Sequence, residues 1–178
     1  MQLKDERFAI PGAGALITKT LDGEEFLLIQ ERRKEGAERE NGLIEIPAGK
    51  IREGESVYEA LRREVREETG YRVLSIEGED RAERVECNGY SVLSYEPFSS
   101  SQNVAGGYPI MVQVFLCRVE EDGAEHTGSD ESEHVRWIGL GELRRLLERE
   151  ERFYPMHLST LRKFLKAEGR GSDRTEKD

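Results

Sequence analysis

One segment constrains this chain more than any other: Gly49 to Tyr71, GKIREGESVYEALRREVREETGY, sets carboxylates on the side of a helix where apolar residues belong. Ser56 suits the N-cap, and Glu59 three residues on completes an S-x-x-E capping box. Gly70 is a natural residue to follow the last turn, so the spacing predicts a helix from Val57 to about Thr69. At about 100° per residue, Val57, Ala60, Leu61 and Val65 share one face. Glu64 and Glu68 fall in the middle of that face and Glu67 on its edge, while Glu59, Arg62 and Arg66 point the other way.

A helix built only for stability would not carry such a pattern. Buried carboxylates without partners shift their pKa or destabilise the fold. Anions in the last turn also oppose the helix dipole, at about 0.3–1 kcal/mol each. Positive charge is therefore expected beside them, and a hard divalent cation with oxygen ligands, Mg²⁺ or Mn²⁺, meets that need.

The rest of the composition narrows the function classes. Charged residues make up 36% of the chain and the formal net charge is −10, with Lys and Arg interspersed among acids. No basic patch points to nucleic acid, and no apolar run approaches a membrane span. Cys87 and Cys117 form no C-x-x-C pair, and no secretory prefix opens the chain. A reduced, cytoplasmic protein is the expectation. His126, His134 and His157 are scattered, which argues against zinc.

Along the chain, Ala13–Thr20 and Glu24–Glu31 are expected as strands joined by a tight turn at Leu21-Asp22-Gly23. Residues 34–41 form a charged loop, and Leu43–Pro47 alternates like a strand. Arg72–Ile76, Ala82–Tyr95 (turning or bulging at Gly89), Ile110–Val119 and Val135–Ile138 are the remaining strand candidates, with Ile110–Val119 central. Pro97–Pro109 is a long polar loop, and loops of that length are usually functional. Gly141–Glu148 and Leu158–Ala167 are amphipathic helices. Residues 1–167 then form a single domain, and residues 168–178 a fraying tail. Strands on both sides of one helix, with further helices at the end, give an α/β sandwich with a mixed sheet.

The spacing resembles the Nudix hydrolase signature, G-x5-E-x7-R-E-U-x-E-E-x-G-U with U aliphatic. Gly49, Glu55, Arg63, Glu64, Val65, Glu67, Glu68 and Gly70 match it, and Tyr71 departs from the last aliphatic position. The resemblance implies an α/β/α sandwich whose signature forms loop, helix and loop. It also implies that Glu64, Glu67 and Glu68 bind divalent cations, with the carbonyl of Ala48 as a further ligand. Glu55 would either ligate metal or hold the loop, and Arg63 would pair with the signature carboxylates and fix their rotamers.

Two features resemble the ADP-ribose and ADP-sugar pyrophosphatase branch: EIPAGK at Glu45–Lys50, and the Q-x-R at Gln30-Glu31-Arg32. By that resemblance Arg32 meets substrate phosphate, with Gln30 and Arg33 as further substrate-binding candidates; from the residues alone, Arg32 and Arg33 read equally as exposed loop charges. Within SDESEH, Ser129–His134, Glu131 is implied as general base and Glu133 as a metal ligand, with a signature carboxylate such as Glu68 as the alternative catalytic base. Phe98, Tyr108 and Tyr154 are aromatic candidates for stacking on a base.

The implied reaction is hydrolysis of the diphosphate linkage of a small nucleotide, most simply ADP-ribose or an ADP-sugar to AMP and a sugar phosphate. A triphosphate pyrophosphatase releasing PPi and a non-catalytic nucleotide sensor are the alternatives, and a homodimer stays open.

Overall fold

The computed structural model describes residues 7–120 and 132–175, with side chains through Gly169 in the last helix. β1 (Ile10–Leu21) and β2 (Glu24–Arg32) form the first hairpin, turning at Asp22 and Gly23 with φ of 51° and 81°. Positive φ at both central residues marks the hairpin turn whose twist matches that of the strands. Two short strands, β3 (Ile44–Glu45) and β4 (Ala48–Lys50), pair with β2 and β1 respectively and deliver the chain to α1 (Val57–Thr69).

β5 (Val73–Ile76), β8 (Ser99–Gln102) and β9 (Ile110–Val119) follow, then β10 (Ser132–Gly139), α2 (Leu140–Leu146) and α3 (Pro155–Thr175). The strand order is β10-β2-β1-β9-β5, with β3, β4 and β8 attached along its length. β1 and β9 run parallel and the other pairs antiparallel, so the sheet is mixed. β6 (Glu83–Cys87) and β7 (Tyr90–Ser94) form a separate hairpin.

Alternation along the central strands divides the interior between the two sheet faces. Ala13, Ala15, Ile17 and Phe115 pack with Val57, Leu61 and Val65 of α1. Leu16, Leu27, Ile29 and Val114 face the other way, onto Leu143 of α2 and Leu161 and Phe164 of α3. The α/β/α sandwich expected from the signature is the fold observed.

Three local expectations are corrected. The Pro97–Pro109 loop is not all loop: Ser99–Gln102 pairs with Met111–Val114 of β9, where ladder hydrogen bonds outweigh a polar, low-propensity sequence. Leu43–Pro47 shortens to a two-residue strand. The helix expected over Leu158–Ala167 spans Pro155–Thr175. In the second hairpin Asn88 and Gly89 take φ of 50° and 80°, so Gly89 marks a turn.

Candidate active site

α1 is fixed at both ends by its own sequence. Ser56 Oγ accepts from the Glu59 amide and the Glu59 carboxylate accepts from the Ser56 amide, the reciprocal box that satisfies two otherwise orphan donors. At the other end Gly70 adopts φ 76°, a conformation that costs glycine no Cβ clash. Ser132 of β10 donates to the Glu68 carbonyl at 2.8 Å, securing the last turn. Tyr71, where the signature prefers an aliphatic residue, is edge-on to Trp137 at 5.9 Å, and its hydroxyl accepts from Trp137 Nε1 at 3.0 Å.

The helix presents its carboxylates to a cleft of about 1170 Å³, lined among others by Arg32, Glu45, Lys50, Arg52, Glu64, Glu67, Glu68, Tyr108, Tyr154 and His157. The rim is organised by Arg63. Its Nε and Nη2 donate to Glu55 at 2.8 and 2.9 Å, Nη1 to Glu64 at 2.5 Å and Glu67 at 3.2 Å, and Nη2 also to the Lys50 carbonyl at 2.9 Å. This fork holds the Glu55 carboxyl down at about 2. A Cβ on Gly49 would lie 2.0 Å from Glu64 Cδ, so any larger residue there would displace the Glu64 carboxylate.

The floor is different. Glu68 Oε2 accepts from Gln30 Nε2 at 2.9 Å and from the Ala48 amide at 3.0 Å. Gln30 Nε2 also reaches Glu45 Oε1 at 3.3 Å, across the Gln30–Glu45 pair of β2 and β3. Burial, and after it the neighbouring Glu45 charge, pushes the Glu68 carboxyl well above the ordinary carboxylate value. Glu45 is raised as well, mainly by burial. Its other oxygen accepts from Arg32 Nη1 at 3.0 Å, while Arg32 Nε donates to Glu40 at 2.8 Å and the guanidinium lies over Tyr154 at 4.2 Å. His157, fully enclosed, accepts from the Ile46 amide at 3.3 Å, and burial depresses it to about 3, so its ring is neutral.

A family model described as the NUDIX domain matches residues 10–158. The chain belongs to that family. Solved structures share the fold at low identity. The NUDIX domain of Shewanella oneidensis NrtR, complexed with ADP ribose, is 14% identical with a TM-score of 0.63, covering 94% of this chain and 93% of that one. A C. elegans Ap4A hydrolase binary complex is 19% identical with a TM-score of 0.57, covering 92% and 99%. The MutT protein of Methanosarcina mazei Go1 is 21% identical with a TM-score of 0.54, covering 98% and 100%. A search of curated proteins gave no match. As a Nudix hydrolase family member, the chain is of the class that hydrolyses nucleoside diphosphate derivatives.

Within this Nudix site the structure brings Glu55, Arg63, Glu64, Glu67 and Glu68 together and sets Ala48 against Glu68. It does not bring Gln30 to the cleft: the side chain is buried between the two floor carboxylates, because the β2–β3 register turns it inward. Arg33 and Glu133 are also elsewhere, paired with each other on the exposed end of β2 and β10. A bulge after Glu133, with His134 at φ 50° bonded to Glu31, shifts that strand end out of register. Arg32 does line the cleft, though carboxylates occupy its Nε and Nη1. Glu131 lies outside the described residues.

Each of the named aromatics carries a cation: Tyr154 takes Arg32, Tyr108 takes Lys50 at 4.8 Å, and Phe98 takes Lys163 at 4.6 Å. Both cysteines are free thiols, and no helix of the described residues is long and apolar enough to cross a membrane.

Sequence reasoning overlooked Glu45, Ser132 and His157 as parts of the site. Glu45 had a signal, since it is a charged residue embedded in an apolar run, LIEIP.

Proposed function

We propose that this protein is a divalent-metal-dependent hydrolase of the diphosphate linkage in nucleoside diphosphate derivatives, with ADP-ribose or a related ADP-sugar as substrate class and AMP and a sugar phosphate as products. The observation that carries the reading is the cleft itself. Signature carboxylates stand at its edge and floor, Lys50, Arg52 and Arg32 share its lining, and its volume of about 1170 Å³ accepts an extended nucleotide. The bound ADP ribose in the NrtR domain, which has the same fold, supports the choice of substrate class.

The donor set suits Mg²⁺ or Mn²⁺, since it consists of hard carboxylate oxygens. Among the described residues no three acidic, His or Cys side chains already converge on one point. Glu64 and Glu67 lean on Arg63, and Glu68 on Gln30 and Ala48. The floor nevertheless holds two carboxylates bridged by a neutral amide, with one cation bound to Glu45 and none to Glu68 among the described residues. Glu64, Glu67 and Glu68, with the Ala48 carbonyl, would hold the ion. Bound there, it would neutralise diphosphate charge and lower the pKa of an attacking water.

The protein's own groups supply the rest. Arg63 orients Glu55, Glu64 and Glu67, and Lys50 and Arg52 offer positive charge to the phosphates as they enter. Glu131 is the assigned acceptor of the water proton, on the sequence resemblance alone.

The test is a product analysis across ADP-ribose, other sugar nucleotides, deoxynucleoside triphosphates and dinucleoside polyphosphates, in Mg²⁺ and in Mn²⁺. AMP and ribose 5-phosphate from ADP-ribose, at the highest kcat/KM of the panel, are expected. PPi released preferentially from triphosphates, or ADP-ribose bound without turnover, overturns the assignment.

A further inference from the structure

We infer that Glu45 and Gln30 are positioning residues that set the carboxylate of Glu68 for its metal; the inference rests on the hydrolase reading above. The contacts run in one line from the cleft wall to the floor. Tyr154 and Glu40 fix Arg32, Arg32 Nη1 holds Glu45 Oε2, and Glu45 Oε1 and Glu68 Oε2 both accept from Gln30 Nε2. Glu68 Oε2 thus has two donors, Gln30 and the Ala48 amide, while Oε1 has no donor among the described residues. One oxygen is committed to the protein, and the other is left for a ligand.

Stability does not account for this line. Gln30, Glu45 and Glu68 are only 1%, 4% and 6% exposed, so two ionisable carboxyl groups are enclosed beside each other. Apolar side chains in place of buried charges are often neutral or stabilising. Among the described residues Gln30 Oε1 has no hydrogen-bond partner either, so its amide is oriented by the two carboxylates at the expense of its own acceptor. A Val or Leu at either strand position would pack more cheaply. What such residues could not do is hold Glu68 in one rotamer, and outer partners of metal ligands act in this way.

The test compares Glu45→Gln, Gln30→Met and the double variant with the full-length wild type. Mn²⁺ binding without substrate is read from the loss of the free-ion electron paramagnetic resonance signal, and turnover at saturating Mg²⁺ is read separately. Each single change is expected to weaken Mn²⁺ binding and lower kcat by about 10- to 100-fold, with KM moving far less. The double variant should lose no more than the worse single, because both act through one carboxylate. Wild-type Mn²⁺ affinity in the singles, or losses that multiply in the double, overturns the inference.

Should Gln30→Met not fold by circular dichroism, Glu45→Gln, which keeps the side-chain shape, decides alone. Should the wild type hydrolyse nothing in the panel, the functional reading fails, while the Mn²⁺ comparison still decides whether Glu45 positions Glu68.

Discussion

At the rim of the cleft Glu55 accepts from both Nε and Nη2 of Arg63, and its carboxyl is held at about 2. At the floor Glu68 meets Glu45 across a neutral amide, and burial with that neighbour pushes it well above its ordinary value. Both carboxylates belong to the same signature, on or just before the same helix. Their surroundings differ in burial and in whether the protein supplies a cation of its own. The rim is compensated by an arginine and so can be pre-formed and stable. The floor is left short of positive charge, and that deficit is what a divalent ion would fill. Local stability and local reactivity are thus separated over a few residues of α1.

Glu68→Gln sharpens the comparison most. It removes the enclosed anion without changing its shape, so two expected effects have opposite sign. Turnover at saturating Mg²⁺ should fall by about 10³-fold, the scale of losing a principal electrostatic contact in an active site. The metal-free protein should become more stable by about 1–2 kcal/mol, as when buried charge is removed. The raised Glu68 value means its folded form prefers the proton. Its contribution to metal-free stability is therefore full below the unfolded value of about 4.3 and is lost as pH rises through the folded value. In EDTA, urea titrations across pH should show that decline flatten in Glu68→Gln. Wild-type turnover in the variant would remove the metal role from Glu68.

Arg63→Ala probes the other half. It leaves three carboxylates, Glu55, Glu64 and Glu67, without their shared donor. The expected loss is about 2–3 kcal/mol at neutral pH, the low end for breaking a partly enclosed ion pair. The sign with pH is opposite to that of the floor. Glu55 is depressed to about 2, so its stabilisation is present above the unfolded value of about 4.3 and disappears as pH falls through about 2. Removing Arg63 should abolish most of that acid-side dependence. A variant as stable as wild type, with an unchanged acid limb, would mean the rim is not held by this fork.

How much of this was legible in the residues follows the same division. The helix limits, Ser56 and Glu59 at its start and Gly70 at its end are local, and cap chemistry specifies them within a few residues. The Asp22-Gly23 turn is legible for the same reason. Gln30 and Glu45 are not local, since they meet only through the β2–β3 register, 15 residues apart in sequence. A substrate-facing Gln30 and a buried one look alike until that register is known. Ser99–Gln102 carries no apolar alternation, and its strand exists because β9 offers an edge. The pairing of Glu133 with Arg33 depends on a bulge that acidic composition does not announce.

Glu67→Gln gives the smallest expected effect on the metal-free protein, and for that reason it controls the first experiment. Glu67 sits one residue before Glu68, yet its side chain is 51% exposed, with Arg63 Nη1 at 3.2 Å and Arg52 Nη2 at 3.8 Å. An exposed pair of this kind is worth about 0.3–0.5 kcal/mol. An anion near a helix C-terminus costs a similar amount, about 0.3–1 kcal/mol. The two nearly cancel, so urea titration in EDTA should place the variant within about 0.5 kcal/mol of wild type. Adjacent isosteric changes then separate burial from charge: Glu68→Gln stabilises the metal-free chain and Glu67→Gln does not. If Glu67→Gln stabilises as much as Glu68→Gln, the strain at this end of α1 comes from total negative charge on the helix, and the distinction between a compensated rim and an uncompensated floor fails.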